Sequence, residues 1–206
     1  MIDREAIRRN AESLIAEFDI QCGGPDAPMW SLSGGNQQRV VLAREMSNAP
    51  VVVVACQPTR GLDVGAIEYM GARLRQAAVD GVGVLLISSE LDELMALSDR
   101  IIVMYLGKVV EVADKHALYA APRHPYTRGL IASVPVMHPS RRTRDRSGRR
   151  LEGDIPSALN PPSGCRFHTR CPFAKDLCRE KEPALAADAG QHQVACHFPL
   201  SGGNAV

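Results

Sequence analysis

Apolar residues in the first half of the chain recur at two periods, one helical and one strand-like. Between Arg4 and Phe18, the positions Ile7, Leu14, Ile15 and Phe18 fall at helical spacing and predict an amphipathic helix. Gly23-Gly24-Pro25 and Pro28 end it. Asn36 to Met46 predicts a second helix. Val51 to Ala55 is an unbroken, mostly β-branched run, which predicts a parallel strand buried on both faces. Val64 to Val79 predicts a helix, Val84 to Ile87 a second buried strand, Leu91 to Leu97 a short helix, and Arg100 to Tyr105 a third strand. Leu106-Gly107-Lys108 predicts a turn into Val109-Val110-Glu111. Strands alternating with helices in this way imply an α/β layered domain with a mostly parallel sheet.

The pattern changes after Pro122. Arg141 to Arg150 holds six arginines, one aspartate and no apolar residue, and reads as a solvated linker, with an acidic or phosphate-bearing partner as the alternative. From Leu151 onward, proline and cysteine are frequent and periodicity is weak. Two regions follow, 1–121 and 122–206. A segment as small as the tail lacks the core to order itself, which makes a metal staple physically attractive.

Composition adds mainly exclusions. At 206 residues, 45% hydrophobic and net charge +1, the chain is neither fibrous nor disordered, and its charge gives no reason to expect nucleic-acid binding. The start shows no secretory pattern, and the run from Val51 to Cys56 is far shorter than the roughly 20 residues a bilayer span needs. The expectation is a cytoplasmic protein that reaches a membrane only through partners. Cys22 and Cys56 stand alone, whereas Cys165, Cys171, Cys178 and Cys196 cluster. In a reducing compartment such a cluster points to a metal site before two disulfides.

The sharpest local feature is Leu32-Ser33-Gly34-Gly35-Asn36-Gln37-Gln38-Arg39. Two glycines permit close backbone approach, and the helix that follows turns free N–H groups and its positive dipole end toward any anion. A serine-capped helix after a flexible turn is the plain alternative. This string resembles the signature motif of ABC ATPases, in the form found in the second ATPase half of sugar and nucleoside importers. The resemblance continues through Val51-Val52-Val53-Val54-Ala55-Cys56-Gln57-Pro58-Thr59-Arg60-Gly61-Leu62-Asp63, which is similar to a Walker B strand and D-loop. It runs on to Leu86-Ile87-Ser88-Ser89-Glu90, at the switch-histidine position, and to Ser98-Asp99-Arg100-Ile101-Ile102-Val103-Met104.

The resemblance implies a partial P-loop NTPase fold and an ATP site shared with a second ABC ATPase subunit. Ser33, Gly34, Gly35, Asn36, Gln38 and Asp63 would be its nucleotide-facing residues. It also exposes three departures. No G-x-x-x-x-G-K-[ST] phosphate loop occurs, and the only Gly-Lys pair, Gly107-Lys108, is followed by Val109. Cys56 and Gln57 replace the aspartate and glutamate of Walker B. A thiol is a poor magnesium ligand and an amide cannot act as a general base. Ser89 replaces the switch histidine. The implied role is therefore that of a non-catalytic partner lending its signature motif to another subunit's site, beside membrane-spanning permease subunits and without nucleic acid.

The tail is similar to a different branch. His124-Pro125-Tyr126-Thr127-Arg128-Gly129-Leu130, Gly153-Asp154-Ile155-Pro156-Ser157, Pro162-Ser163-Gly164-Cys165-Arg166-Phe167, Arg170-Cys171-Pro172 and Val194-Ala195-Cys196-His197 resemble the C-terminal extension of oligopeptide and dipeptide importer ATPases. In that family four cysteines hold an iron–sulfur cluster in some members, which the resemblance implies for Cys165, Cys171, Cys178 and Cys196. Zinc and two disulfides stay open, although gaps of five, six and seventeen residues do not form paired C-x-x-C knuckles. His168 and His197 beside the cluster read as surface or supporting residues. The tail is the more subfamily-specific half, so peptide import leads. A nucleoside or sugar importer subunit, a metal-binding interaction module without nucleotide, and a decayed fragment are the alternatives.

Overall fold

The computed structural model describes residues 3–133, 151, 153–187 and 191–201. The charged run 141–150 lies outside them. The chain forms two compact units, Met1–Leu97 and Ser98–Val206. The hairpin near residue 105 therefore groups with the cysteine-bearing extension, earlier than the region boundary drawn after residue 121.

In the first unit, helix α1 (Arg4–Glu17) starts where the Asp3 side chain accepts the Ala6 N–H, and α2 (Gly34–Met46) starts at the Ser33 cap. Strand β1 (Val52–Cys56), helix α3 (Val64–Val79), strand β2 (Gly83–Ile87) and helix α4 (Leu91–Leu97) follow. The strands pair in parallel, Val52 opposite Gly83 and Cys56 opposite Ile87. Phe18, Ile20, Leu32, Leu42, Ala43, Val53, Met70 and Leu74 form the core, with Ala55 and Val84 packed against it. These core strand residues share one face of the sheet. The other face is open: Val52 and Val54 are 59% and 61% exposed, and Leu85 and Ile87 are also exposed. The expectation of strands buried on both faces is thus corrected for these residues. An apolar run specifies a strand, but it does not specify what covers each side.

The second unit corrects the sheet type. Strand β3 (Arg100–Tyr105) does not extend the parallel pair among the described residues. It forms an antiparallel hairpin with β4 (Lys108–Asp114), Arg100 opposite Asp114 and Tyr105 opposite Lys108. The reason is local. Leu106 and Gly107 both have positive φ, 45° and 76°, which fits the two-residue primed turn whose twist matches paired antiparallel strands. Helices α5 (Lys115–Ala120) and α6 (Pro125–Ser133) follow, the first capped by Asp114, which accepts the His116 and Ala117 N–H groups. Beyond residue 150 the elements are short: a 3-10 turn at His168–Arg170, helix α7 (Asp176–Glu180), and strands β5 (Ala186–Ala187) and β6 (Gln193–Val194). They complete an antiparallel sheet of order β3-β4-β6-β5.

The hairpin is clasped by the extension. Arg166 donates to the Leu106 carbonyl, Lys108 pairs with Glu182 at 2.8 Å, and the Tyr105 ring meets Phe167 edge-on at 5.2 Å. No helix among the described residues is long and apolar enough to cross a membrane.

Because Gly107 holds the left-handed turn, Gly107→Val is expected to destabilise the hairpin by about 1–2 kcal/mol, the cost of left-handed backbone for an L-residue. Urea unfolding of the full chain measures it, and an unchanged midpoint would contradict the turn assignment.

Candidate functional site

The signature-like segment lies where two helix starts face each other. A Cβ built on Gly35 would stand 3.1 Å from the Ala66 Cβ and 4.0 Å from an Asp63 carboxylate oxygen, so any larger residue would push α2 away from the start of α3. Asp63 itself caps α3, its Oδ1 accepting the Ala66 N–H at 2.9 Å. Ser33 and Gly34 are exposed, whereas Gly35, Asn36 and Gln38 are half-buried. Asn36 is structurally engaged: its Nδ2 donates to Ser33 Oγ at 3.0 Å and its Oδ1 accepts the Gln21 N–H at 2.8 Å. Gln37 fastens the approach to the helix, donating to the Met29 and Leu32 carbonyls. What stays available to an anion is the Ser33 hydroxyl and the first N–H groups of α2, which lack partners within the helix. Asn36 and Asp63 are thus occupied by contacts within the chain. The sequence motif suggested their nearness but not this division of labour.

Cys56, Gln57 and Ser89 sit at the ends of the two parallel strands. Gln57 occupies the left-handed backbone region, with φ 49°, and its N–H donates to the Ile87 carbonyl at 2.7 Å. Its side-chain oxygen accepts the Ser89 N–H at 3.4 Å and the Ser89 hydroxyl at 3.3 Å. Gln57 and Ser89 therefore bond to each other. An amide and a hydroxyl can form such a contact, but neither can take a proton from water at neutral pH.

The second site lies in the extension. Cys165, Cys171, Cys178 and Cys196 line one cavity, together with His124, His168, His197, Phe167, Phe173 and Phe198. All six cysteines are free thiols, so the two-disulfide alternative is not realised. The segment is built so that distant residues meet. Cys165 N–H donates to the Cys178 carbonyl at 2.8 Å, and Cys178 N–H to the Lys175 carbonyl at 2.9 Å. Cys196 follows β6, where Ala195 N–H donates to the Val110 carbonyl at 2.8 Å. Burial pushes the Cys165 and Cys171 thiols above their ordinary range, and raises Cys196 to about 11. The neighbouring thiols raise all three further. Without a cation these thiols stay protonated. Among the described residues no three His, Cys, Asp or Glu side chains are arranged around one ion.

His124 opens one of the strings quoted above, but nothing in that string places it at the cavity. It is 1% exposed, and burial lowers its pKa to about 4, so the ring is neutral. Its Nδ1 accepts the Tyr126 N–H at 3.1 Å. His168 Nδ1 lies 2.9 Å from the Cys165 carbonyl and His197 Nε2 lies 2.8 Å from the Lys181 carbonyl, so each imidazole has a backbone partner.

Residues 110–178 match the family described as the oligopeptide/dipeptide transporter C-terminal region. The chain is 42% identical over 189 residues to the oligopeptide transport ATP-binding protein AppF of Bacillus subtilis, covering 91% of this chain and 57% of that protein. It is 40% identical to a probable peptide ABC transporter ATP-binding protein of Sinorhizobium fredii, over 81% of this chain and 46% of the relative. It is 35% identical to the di/tripeptide transport ATP-binding protein DppF of Pseudomonas aeruginosa, over 95% of this chain and 60% of that one. The chain thus spans about half the length of the curated relatives it matches. Among solved structures, a post-hydrolysis dimer of the ATP-binding cassette MJ0796 bound to ADP and Pi aligns with a TM-score of 0.49 and 27% identity, over 56% of this chain and 50% of that chain. Over the matched span, then, the chain is similar to ABC transporter ATP-binding proteins of the oligopeptide/dipeptide importer type. The likeness of the first half to nucleoside and sugar importers finds no counterpart among these relatives.

Gly164 sits at φ +61°, and a Cβ there would fall 2.5 Å from the Cys178 carbonyl oxygen. Gly164→Ala must therefore separate Cys165 from Cys178. It is expected to destabilise the extension by roughly 2 kcal/mol or more. Hydrogen exchange at the Cys165 and Cys178 amides reads the effect, and unchanged protection would refute the packing described.

Proposed function

We propose that the chain is the signature-bearing part of an ATP-binding subunit of a peptide importer, presenting Ser33, Gly34 and Gly35 to an ATP held by a partner ATPase half. The observation that supports it best is the similarity to peptide-importer ATP-binding proteins across 80–95% of the chain, together with the capped, exposed start of α2. Peptides stand ahead of nucleosides or sugars because those relatives match both halves of the chain. The partner supplies the phosphate loop this sequence lacks, and permease subunits place the assembly on the cytoplasmic face of a membrane. Phosphoryl transfer depends chiefly on positioning and charge stabilisation, so a donor of one hydroxyl and a few backbone N–H groups is enough to matter. The Gln57–Ser89 pairing supports a site that does not itself turn over.

The finer part of the reading concerns the thiol cavity. Four soft donors, walled by phenylalanine and histidine with no carboxylate, ammonium or guanidinium, suit a thiolate-bound metal group. The resemblance of the extension to oligopeptide-importer ATPases is what puts a multi-iron cluster ahead of a single zinc ion. Cys165, Cys171, Cys178 and Cys196 would hold it. When bound, it would supply a cross-link whose affinity adds to the stability of a segment with little core of its own.

The isolated chain is expected to bind ATP weakly or not at all, and to raise ATP hydrolysis when mixed with a partner half that owns an intact phosphate loop. Ser33→Arg, at an exposed position, should cut that stimulation at least about tenfold. Stimulation equal to that of the unaltered chain would overturn the donor role.

Anaerobic purification followed by metal analysis and visible absorption tests the cavity. Iron with broad absorption is the expected result, colourless protein with zinc would replace the cluster by a structural ion, and neither metal would refute the metal reading.

A further inference from the structure

Among the described residues Glu111 is the one buried carboxylate, with no exposed surface at all, and no site role was read for it from the sequence. It sits in the middle of β4, between Val110 and Val112. Its Oε1 accepts the Arg123 N–H at 2.6 Å and stands 2.6 Å from His192 Nε2, and its Oε2 accepts the His124 N–H at 3.0 Å. Because a carboxylate only accepts, the His192 Nε2 carries the proton in this pair.

These three donors come from two stretches of chain that meet nowhere else near Glu111 in sequence. Arg123 and His124 form the turn into α6, and His124 and Pro125 wall the thiol cavity. His192 begins the arm that continues through β6 to Cys196. That arm is bracketed: Val112 pairs with Gln193 and Glu111 with Val194 in the sheet, Ala195 N–H bonds the Val110 carbonyl, and Leu200 N–H bonds the Arg123 carbonyl at 2.9 Å. The second bracket thus lands on the residue whose own N–H is held by Glu111. One side chain fixes both the turn that presents His124 and the two ends of the arm that presents Cys196.

Burying a carboxylate is costly unless donors replace its water, and removing it leaves three donors unsatisfied. A well-packed apolar residue at this strand position would be the cheaper solution if only stability were at stake. We propose that Glu111 is the positioning residue of the thiol cavity: it sets where Cys196 and His124 stand relative to the other three thiols, with His192 as its partner. This goes beyond the function proposed above and uses it only to explain why placing the thiols matters.

The test reads thiol placement directly, in the full chain, reduced and freed of metal with a chelator. Iodoacetamide labelling is followed cysteine by cysteine by mass spectrometry, with Cys22 in the first unit as internal control. Glu111→Ala is expected to speed labelling of Cys196 at least about tenfold, the factor a lost charge-assisted hydrogen bond confers on local opening, while Cys22 is unchanged. His192→Ala should speed Cys196 by a smaller factor, His192→Gln should restore protection by keeping a donor, and the double variant should not exceed Glu111→Ala. If Cys196 labels at the unaltered rate in both alanine variants, or Cys22 accelerates in step with it, the positioning role is overturned. Should Glu111→Ala fail to fold, the His192→Ala and His192→Gln pair decides: equal labelling in the two overturns the proposal. Because the protein is metal-free throughout, failure here is separate from failure to find iron or zinc.

Discussion

A carboxylate deprived of water must find donors within the chain, and the second unit is organised around the donors that Glu111 finds. Two are backbone N–H groups at the entry to α6 and the third is an imidazole from near the chain's end. Each is far from Glu111 in sequence, so satisfying one side chain brings three segments together. The aromatic cluster of Tyr105, Tyr126 and Phe167 then fills the space beside them, with ring centroids 4.7–5.4 Å apart. Offset and edge-on aromatic pairs of this kind add about 0.5–1.5 kcal/mol each beyond area burial. The apolar hairpin thereby becomes the base on which a cysteine-rich segment is held.

The first unit rests on a different constraint. Its helices cover one side of two parallel strands and leave the other side apolar and open. Electrostatic contacts reinforce the covered side: Arg39 stacks over the Tyr69 ring at 3.9 Å and pairs with Asp19 at 2.6 Å, and Tyr69 donates to the Phe18 carbonyl at 2.7 Å. The Arg39 guanidinium holds the Asp19 carboxyl below its usual range, though the Asp19 side chain is largely exposed and the pair adds little to stability. These contacts anchor the turn that follows α1 against α2 and α3. They fix the start of α2, where the signature-like glycines lie and where Gly35 allows the close approach to Ala66.

Local chemistry made much of this legible in the sequence. The helices Val64–Val79 and Leu91–Leu97 and the strand Arg100–Tyr105 follow from periodicity with the same bounds. Ser33 and Asp63 are helix caps because short polar side chains before a helical run satisfy its first N–H groups. That Cys56 and Gln57 suit neither magnesium binding nor general-base chemistry was also readable, because residue identity alone decides whether a side chain can bind magnesium or accept a proton. The clustering of four cysteines pointed to one site for the same reason: thiols are soft donors wherever the chain puts them.

Tertiary structure decided what depends on distant partners. The sequence could say that Val51 to Ala55 is a strand, but which face is covered is set by the helices that pack on it. It could mark a turn at Leu106-Gly107, but the primed geometry of that turn is what makes the third strand antiparallel rather than a continuation of the first sheet. Gln57 and Ser89 were noted as separate losses, and only the parallel register that ends both strands together lets them bond. Glu111 sits in an apolar run with no motif around it, and its donors lie 12, 13 and 81 residues away. Hydrogen-bond partners at that separation leave no periodic trace in the sequence. The identities of the residues fixed the available chemistry, and the fold determined which groups meet to use it.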